Sequence, residues 1–391
     1  MDFEFSREQE AFRQEVRSFL EDEIRKGTFK PMCDGWIQGF SWEFTKKVAS
    51  KGWVGITWPK EYGGLGRSHI DRLILTEEMV RYGAPAACHW FAERQIGNAI
   101  CSFGTEEQKQ EMLPQIIRGE ACVGLGMSEP MAGSDLSSVK TRAIEDGDYY
   151  VINGQKMWTS CASYMTHIYL VARTDTMVPK QRGISEFIID CKLPGISIRP
   201  TIDITGSEAW GEVFFDNVRI HKKYLIGQKN SGFYQILHQL AYERSGIERL
   251  MGNYPLFDAI IKFTKETKRN GKPICEDPLI RNRLVQLQIE FEVGKMLVYR
   301  VVQVMEQGTV PNIEAAMAKP FCTTYEQHLA SIATDILGLY GQLWKDSKYV
   351  PVMGMAPHSF LGSKGYSLQA GTNEVLKGIV ANRGLGLPSL T

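Results

Sequence analysis

At 391 residues the chain exceeds what one hydrophobic core usually organises, so two or three sub-structures are expected. Hydrophobic residues make up 43%, enough for a full core, while Lys+Arg and Asp+Glu each number 45 and the formal net charge is zero. That balance argues against a nucleic-acid binder or a polybasic membrane module, and it lacks the self-repulsion that would oppose oligomerisation.

The eight cysteines (Cys33, Cys88, Cys101, Cys122, Cys161, Cys191, Cys275 and Cys322) are scattered, with no CxxC pair and no metal-ligand spacing. They read as reduced thiols of a cytosolic-type compartment, and no metal site is expected. The start, Met1-Asp2-Phe3-Glu4-Phe5, is acidic and amphipathic without a signal-peptide core. No apolar run approaches the ~18 residues of a membrane span. A cytoplasmic protein is expected, with an organelle matrix as the alternative.

Residues 1–119 read as a helical domain. Glu8–Ile24, Trp42–Lys51, Ile70–Tyr82 and Glu106–Arg118 carry apolar residues at three- and four-residue intervals. Pro59-Lys60-Glu61-Tyr62-Gly63-Gly64 is a loop by composition, and Thr105 before Glu106-Glu107-Gln108 is a helix start. Residues 120–231 change period. Tyr149–Ile152, His167–Ala172, Glu186–Asp190 and Glu212–Phe215 are short β-branched or aromatic runs, separated by turn clusters at Asp146-Gly147-Asp148, Asn153-Gly154 and Leu193-Pro194-Gly195. They predict a small β-barrel or sandwich between helical regions. From residue 232 to 391 helical periodicity returns, with a long amphipathic helix over Asp277–Gln307 whose Pro278 sits at its start. Such a helix belongs to a bundle, often at a subunit interface. The fold class is therefore α+β and multi-domain, with a C-terminal four-helix bundle.

Two stretches suggest a ligand. In Met127-Ser128-Glu129-Pro130-Met131-Ala132-Gly133-Ser134-Asp135, small residues allow close backbone approach to a planar molecule, though an ordinary inter-domain loop has the same composition. In Asn153-Gly154-Gln155-Lys156-Met157-Trp158-Thr159-Ser160, Asn153-Gly154 reads as a hairpin turn and Trp158 lies near a strand end. Its indole suits stacking on a flat ring, with Ser160 bonding the ring edge; the bland reading is a core tryptophan.

With Ala370-Gly371-Thr372-Asn373-Glu374 near the C-terminus, these motifs resemble the acyl-CoA dehydrogenase family in order, spacing and helical–β–helical layout over nearly the whole chain. The resemblance implies bound FAD, an acyl-CoA substrate, electron delivery to electron-transferring flavoprotein and a homotetramer, with a hetero-oligomer as the alternative. It implies that Met127, Ser128, Trp158 and Ser160 touch the flavin, that Ser134 contacts the CoA portion, and that Thr372 lies near FAD in a closing loop.

The reaction needs a carboxylate to remove the proton beside the thioester carbonyl. Many family members carry it directly before a C-terminal Gly-Thr, where this chain has Ala370. Some relatives place it on the first helix after the β domain, directly before an Arg. Leu240-Ala241-Tyr242-Glu243-Arg244 matches that arrangement, so Glu243 resembles the relocated base and Arg244 joins the substrate-binding candidates. A surface Glu beside an Arg is the bland reading. Glu248, five residues on and about 140° around the same helix, is the backup.

The family's phosphate-binding Arg-x-x-Phe-Gly stretch is altered to Thr267-Lys268-Arg269-Asn270-Gly271, where Arg269 suits pyrophosphate. Leu337-Gly338-Leu339-Tyr340-Gly341 resembles the Gly-rich turn near the adenine, with bulky substitutions. Cys88–Gln95 falls where relatives line the acyl pocket, which puts Phe91, Arg94 and Gln95 among the substrate-binding candidates. Arg94 suits a substrate carboxylate or a structural pair with Glu93. Two large aromatics in this segment favour a bulky, cyclic, steroid-side-chain or aryl-bearing acyl group. The competing readings are a family flavoenzyme of other chemistry (reductase, desulfinase) and a non-catalytic partner subunit.

Overall fold

The computed structural model describes residues 4–388. Helices come first along the chain: α1 (Arg7–Arg25), α2 (Trp42–Ser50), α3 (His69–Arg81), α4 (Ala87–Phe91), α5 (Gly97–Phe103) and α6 (Glu106–Ile117). A π-helical turn, Ala92–Ile96, joins α4 to α5. Strands follow: β1 (Val123–Gly126), β2 (Arg142–Asp146), β3 (Tyr149–Ser160), β4 (His167–Arg173), β5 (Ile184–Asp190), β6 (Ile196–Thr201), β7 (Trp210–His221) and β8 (Leu225–Ile226). Then come α7 (Gly232–Arg244), α8 (Glu248–Met251), α9 (Tyr254–Glu266), the hairpin β9 (Lys268–Arg269) and β10 (Lys272–Pro273), α10 (Pro278–Glu306), α11 (Asn312–Leu337), α12 (Met355–Gly362) and α13 (Asn373–Ile379). The expected helical, β and helical regions are present in that order.

Local chemistry fixes the ends. Thr105 and Gln108 form a reciprocal capping box on α6, and Ser6 with Gln9 does the same on α1. Asp277 caps α10 with Pro278 in its first turn.

Packing divides the chain into two units, each discontinuous in sequence. One comprises Met1–Trp36, His69–Ala84 and Arg244–Thr391; the other comprises Ile37–Ser68 and Pro85–Glu243. In the first, α10 packs on α11. Phe291 lies 5.5 Å from Tyr254 and 6.0 Å from Tyr325, ring centre to ring centre, within the aromatic contact range. Arg13 on α1 reaches Glu78 at 2.7 Å and Glu77 at 3.2 Å on α3, a buried tie between these helices.

The second unit holds an eight-stranded sheet in the order β6-β7-β3-β2-β4-β5-β8, with β1 added parallel to β4. Gly147 (φ +59°) makes the expected β2–β3 turn and Gly195 (φ +89°) the turn before β6. Asn153-Gly154 is not a hairpin turn. It lies inside β3, where the register with β7 shifts between Ile152 and Gly154. The glycine serves a bulge: a Cβ there would sit 2.5 Å from Thr141 Oγ1.

Candidate active site

The two sequence motifs are laced together in the second unit. Met157 N–H donates to Ser128 O at 2.9 Å. The fully buried Lys156 Nζ donates to Met127 O at 2.9 Å and to Glu129 Oε1 at 2.8 Å. Glu129 also accepts from the main-chain N–H groups of Lys140 (2.6 Å) and Thr141 (2.9 Å). Burial pushes the Lys156 ammonium down to about 8, against the pull of Glu129. Burial tends to raise the Glu129 carboxyl, but Lys156 and the two N–H groups outweigh it and hold the group low. The only local trace of this pair in the sequence is a lysine inside an otherwise strand-like run.

Past Lys156 the ladder to β7 shifts again before Thr159, and Trp158 takes φ +58° at this irregularity. Its indole is 54% exposed, so it is not a core tryptophan. Ser160 and Met127 are buried, Ser128 is half-buried and Ser134 is exposed. Thr159 Oγ1 is buried without a hydrogen-bond partner among the described residues. An outward flat indole flanked by hydroxyls fits the ring of a flavin, which offers an apolar face and a polar edge.

Helix α7 docks on this region from two sides. Phe233, Ile236 and Leu240 pack against a cluster containing Met127, Ala132, Val139, Val171 and Ile184. Gln235 and Gln239 donate to the buried Glu186 carboxyl on β5 at 2.6 and 2.8 Å, and Gln239 also donates to Tyr169 Oη at 3.1 Å. Burial pushes Glu186 up to about 7, opposed by hydrogen bonds from Gln235, Gln239 and Tyr169. Its only trace in the sequence is two glutamines four residues apart and a glutamate within a buried β run.

Glu243 is half-buried and lies three residues beyond Leu240. That spacing puts it on the same side of α7 as the stripe packed beside Met127. Arg94, on the π turn, donates from Nε and Nη2 to Tyr242 O at 3.0 and 2.9 Å, and from Nη2 to Glu243 O. Phe91 and Gln95 are buried, and neither amide atom of Gln95 has a partner among the described residues.

The remaining candidates belong to the other unit. Arg244 Nε donates to Ala370 O at 2.8 Å. Lys319 Nζ donates to Gly371 O at 3.0 Å and Asn373 Oδ1 at 3.1 Å. Thr372 caps α13, its hydroxyl accepting from Val375 N–H. Arg269 is exposed on the β9–β10 hairpin, whose turn is Asn270 (φ +52°) and Gly271 (φ +79°). Leu339 and Tyr340 are exposed in the turn after α11. Glu248 does not share a helix with Glu243: α7 ends at Arg244, and the buried Glu248 opens α8.

An outward indole on a strand laced to the Met127–Ser128 segment, with a carboxylate-bearing helix packed beside Met127, suits a flavin-using oxidoreductase. Residues 6–120, 124–218 and 230–385 match the N-terminal, middle and C-terminal domains of acyl-CoA dehydrogenases. Acyl-CoA dehydrogenase FadE26 of Mycobacterium tuberculosis is 30% identical, covering 99% of each chain. The 3-(aryl)acrylate reductase of Clostridium sporogenes is 32% identical over 88% of this chain and 91% of its own. The crystal structure of the ChsE4-ChsE5 complex from Mycobacterium tuberculosis superimposes with a TM-score of 0.88 at 29% identity, covering 99% of this chain and 100% of that one. The chain belongs to the acyl-CoA dehydrogenase family, whose members are flavoprotein oxidoreductases. No described helix is long and apolar enough to cross a membrane.

Proposed function

We propose that this protein binds FAD and dehydrogenates the Cα–Cβ bond of an acyl-CoA thioester, with Glu243 as the base. The observation that carries the reading is the placement of Glu243. It continues the Phe233–Ile236–Leu240 stripe that packs beside Met127, where a solvated surface glutamate would not be expected. FAD, when bound, supplies the acceptor for the hydrogen leaving Cβ with its electron pair. Glu243 takes the Cα proton, both C–H bonds break, and a Cα=Cβ double bond forms. Hydrogen bonds to the thioester oxygen make that proton more acidic.

Met127, Ser128, Trp158 and Ser160 are assigned to the flavin ring and Ser134 to the CoA portion. Arg269 is assigned to the cofactor phosphates, and Thr372, through its cap on α13, to the FAD-side loop. Phe91 and Gln95 are assigned to the acyl pocket. The unpaired buried amide of Gln95 favours an acyl group bearing a polar oxygen within a bulky cyclic or aryl frame. Electron-transferring flavoprotein is the proposed electron acceptor. The proposed assembly is an oligomer of such chains: Val285, Ile289, Val293 and Met296 form one exposed apolar face of α10.

The test is an anaerobic titration of the purified protein with 3-(4-hydroxyphenyl)propionyl-CoA, cyclohexanecarbonyl-CoA, isovaleryl-CoA and butyryl-CoA, followed in the visible spectrum. Bleaching of a flavin band by one of them, lost in Glu243→Gln with the band retained, is the expected result. A band that none of them bleaches, but that an unsaturated arylacrylyl thioester reoxidises after chemical reduction, would replace this reading with a reductase. A colourless protein that cannot be reconstituted with FAD would make it a partner subunit.

A further inference from the structure

We propose that Arg94 is a positioning residue for Glu243, not a ligand of the substrate; this rests on the role of Glu243 proposed above. The last four carbonyls of a helix have no partner within it. In α7 these include Tyr242 O and Glu243 O, and the guanidinium of Arg94 takes both. A cation at a helix C-terminus also meets the negative end of the helix dipole. The Nε/Nη2 edge, which forms paired bonds to a carboxylate, is spent on main-chain oxygens instead. Arg94 is 2% exposed, so these bonds operate out of solvent, where geometry is held tightly.

The stalk of this clamp is built as well. Asn98 Nδ2 donates to the Arg94 carbonyl at 2.7 Å, and Trp58 Nε1 donates to Asn98 Oδ1 at 3.1 Å. Trp58 is pressed against Gly97, where a Cβ would lie 2.0 Å from its Cζ2. The π turn at Ala92–Ile96 inserts an extra residue into the helical path, which re-aims the side chains it carries; such turns recur at functional sites. The Trp58–Asn98–Arg94 series therefore ends on the carbonyl of Glu243 itself. Gln235 and Gln239 fix the body of α7, and Arg94 fixes the turn from which the carboxylate projects.

The experiment uses the full-length holoprotein and whichever thioester of the four-member panel bleaches it. Saturating rate of flavin bleaching and thioester affinity are measured for wild type, Glu243→Gln, Arg94→Ala and Arg94→Lys. Amide hydrogen exchange is followed across residues 232–249. The expected result for Arg94→Ala is a saturating rate about 10²-fold lower, the scale of an ångström-sized misplacement. Affinity stays unchanged and exchange accelerates only in the last turn of α7. Arg94→Lys should fall between, and it carries the test if Arg94→Ala does not fold. An unchanged rate, or weakened affinity with an unchanged saturating rate, overturns the proposal while leaving Glu243 as base. Bleaching that survives in Glu243→Gln, or a wild type that no panel thioester bleaches, overturns the base assignment, and the positioning role falls with it.

Discussion

Arg244 Nε donates to the carbonyl of Ala370 at 2.8 Å, so the residue following the candidate base holds the loop in which many family members carry theirs. Ala370 sits at φ +58°, a left-handed conformation that a non-glycine residue adopts only when its surroundings hold it. Lys319 secures the next carbonyl, Gly371 O, from a fully buried position. Arg244→Ala should cost about 1.5–3 kcal/mol, the range for a hydrogen bond to a charged group. It should also open residues 368–372 to limited proteolysis. Urea unfolding and a digestion time course check this; a variant as stable and as resistant as wild type would remove Arg244 from the role.

The Glu129–Lys156 pair makes a sharper claim. Both groups are buried, so removing one leaves the other charge uncompensated. Lys156→Met should destabilise by about 3–5 kcal/mol, and Lys156→Met with Glu129→Gln by clearly less. A double-mutant cycle in denaturant decides it. Additive losses would mean that the ion pair does not tie the two motifs together.

Glu186 predicts a pH dependence of stability. Below the ordinary value of 4.5 its carboxyl is protonated in both folded and unfolded chains. Between 4.5 and about 7 the folded chain keeps a proton that the unfolded chain has lost, so its contribution to stability falls as pH rises and levels off above 7. The full swing is on the order of 3 kcal/mol. His89, pushed down to about 4 by burial, acts with the opposite sign, losing stability as pH falls below 6.5. Comparing Glu186→Gln with wild type at pH 5 and pH 7.5 cancels the histidine. The variant should lose less stability across that interval; equal losses would mean that Glu186 does not titrate there.

Residues whose function is local were legible in the sequence. Thr105 as a cap, Pro278 at a helix start and Gly147 in a hairpin each depend on neighbours within four residues. The two Asn-Gly pairs show where this stops. Asn270-Gly271 turns a hairpin, whereas Asn153-Gly154 makes a bulge inside a 12-residue strand, because β7 and Thr141 surround it. In the candidate site, the motifs point to Met127 and Trp158 as candidates, and the Glu-Arg pattern to Glu243. The partners that hold them did not announce themselves: Glu186 meets Gln239 across 53 residues, and Arg94 meets Tyr242 across 148. Such pairings follow from the tertiary fold, which periodicity does not encode.

Gln95 gives a prediction whose first part needs no substrate. Its amide is buried with neither atom paired among the described residues, and each such group costs about 1–3 kcal/mol. Gln95→Met keeps the volume and removes the polar atoms, so the unliganded protein should melt at a higher temperature. The same variant should lose discrimination between thioesters with and without an oxygen on the acyl group. A lower melting temperature would show that the amide is already satisfied in the free protein, by an ordered water for example.

The α10 face yields the assembly prediction. Val285, Ile289, Val293 and Met296 follow spacings of four, four and three, so they form one stripe, and all four are exposed on a 29-residue helix. Apolar surface of this extent on an otherwise balanced chain is costly in water. A second copy of the chain, presenting the same stripe, is the proposed partner and would bury it with self-complementary chemistry. Ile289→Asp with Val293→Lys should convert the assembled protein to smaller species in light scattering, while the circular dichroism of each chain is retained. A wild-type protein that is monomeric at micromolar concentration would sink the self-association. If it then assembled only with a different chain of the same fold, the stripe would be a heteromeric interface, and the double variant would abolish that pairing instead.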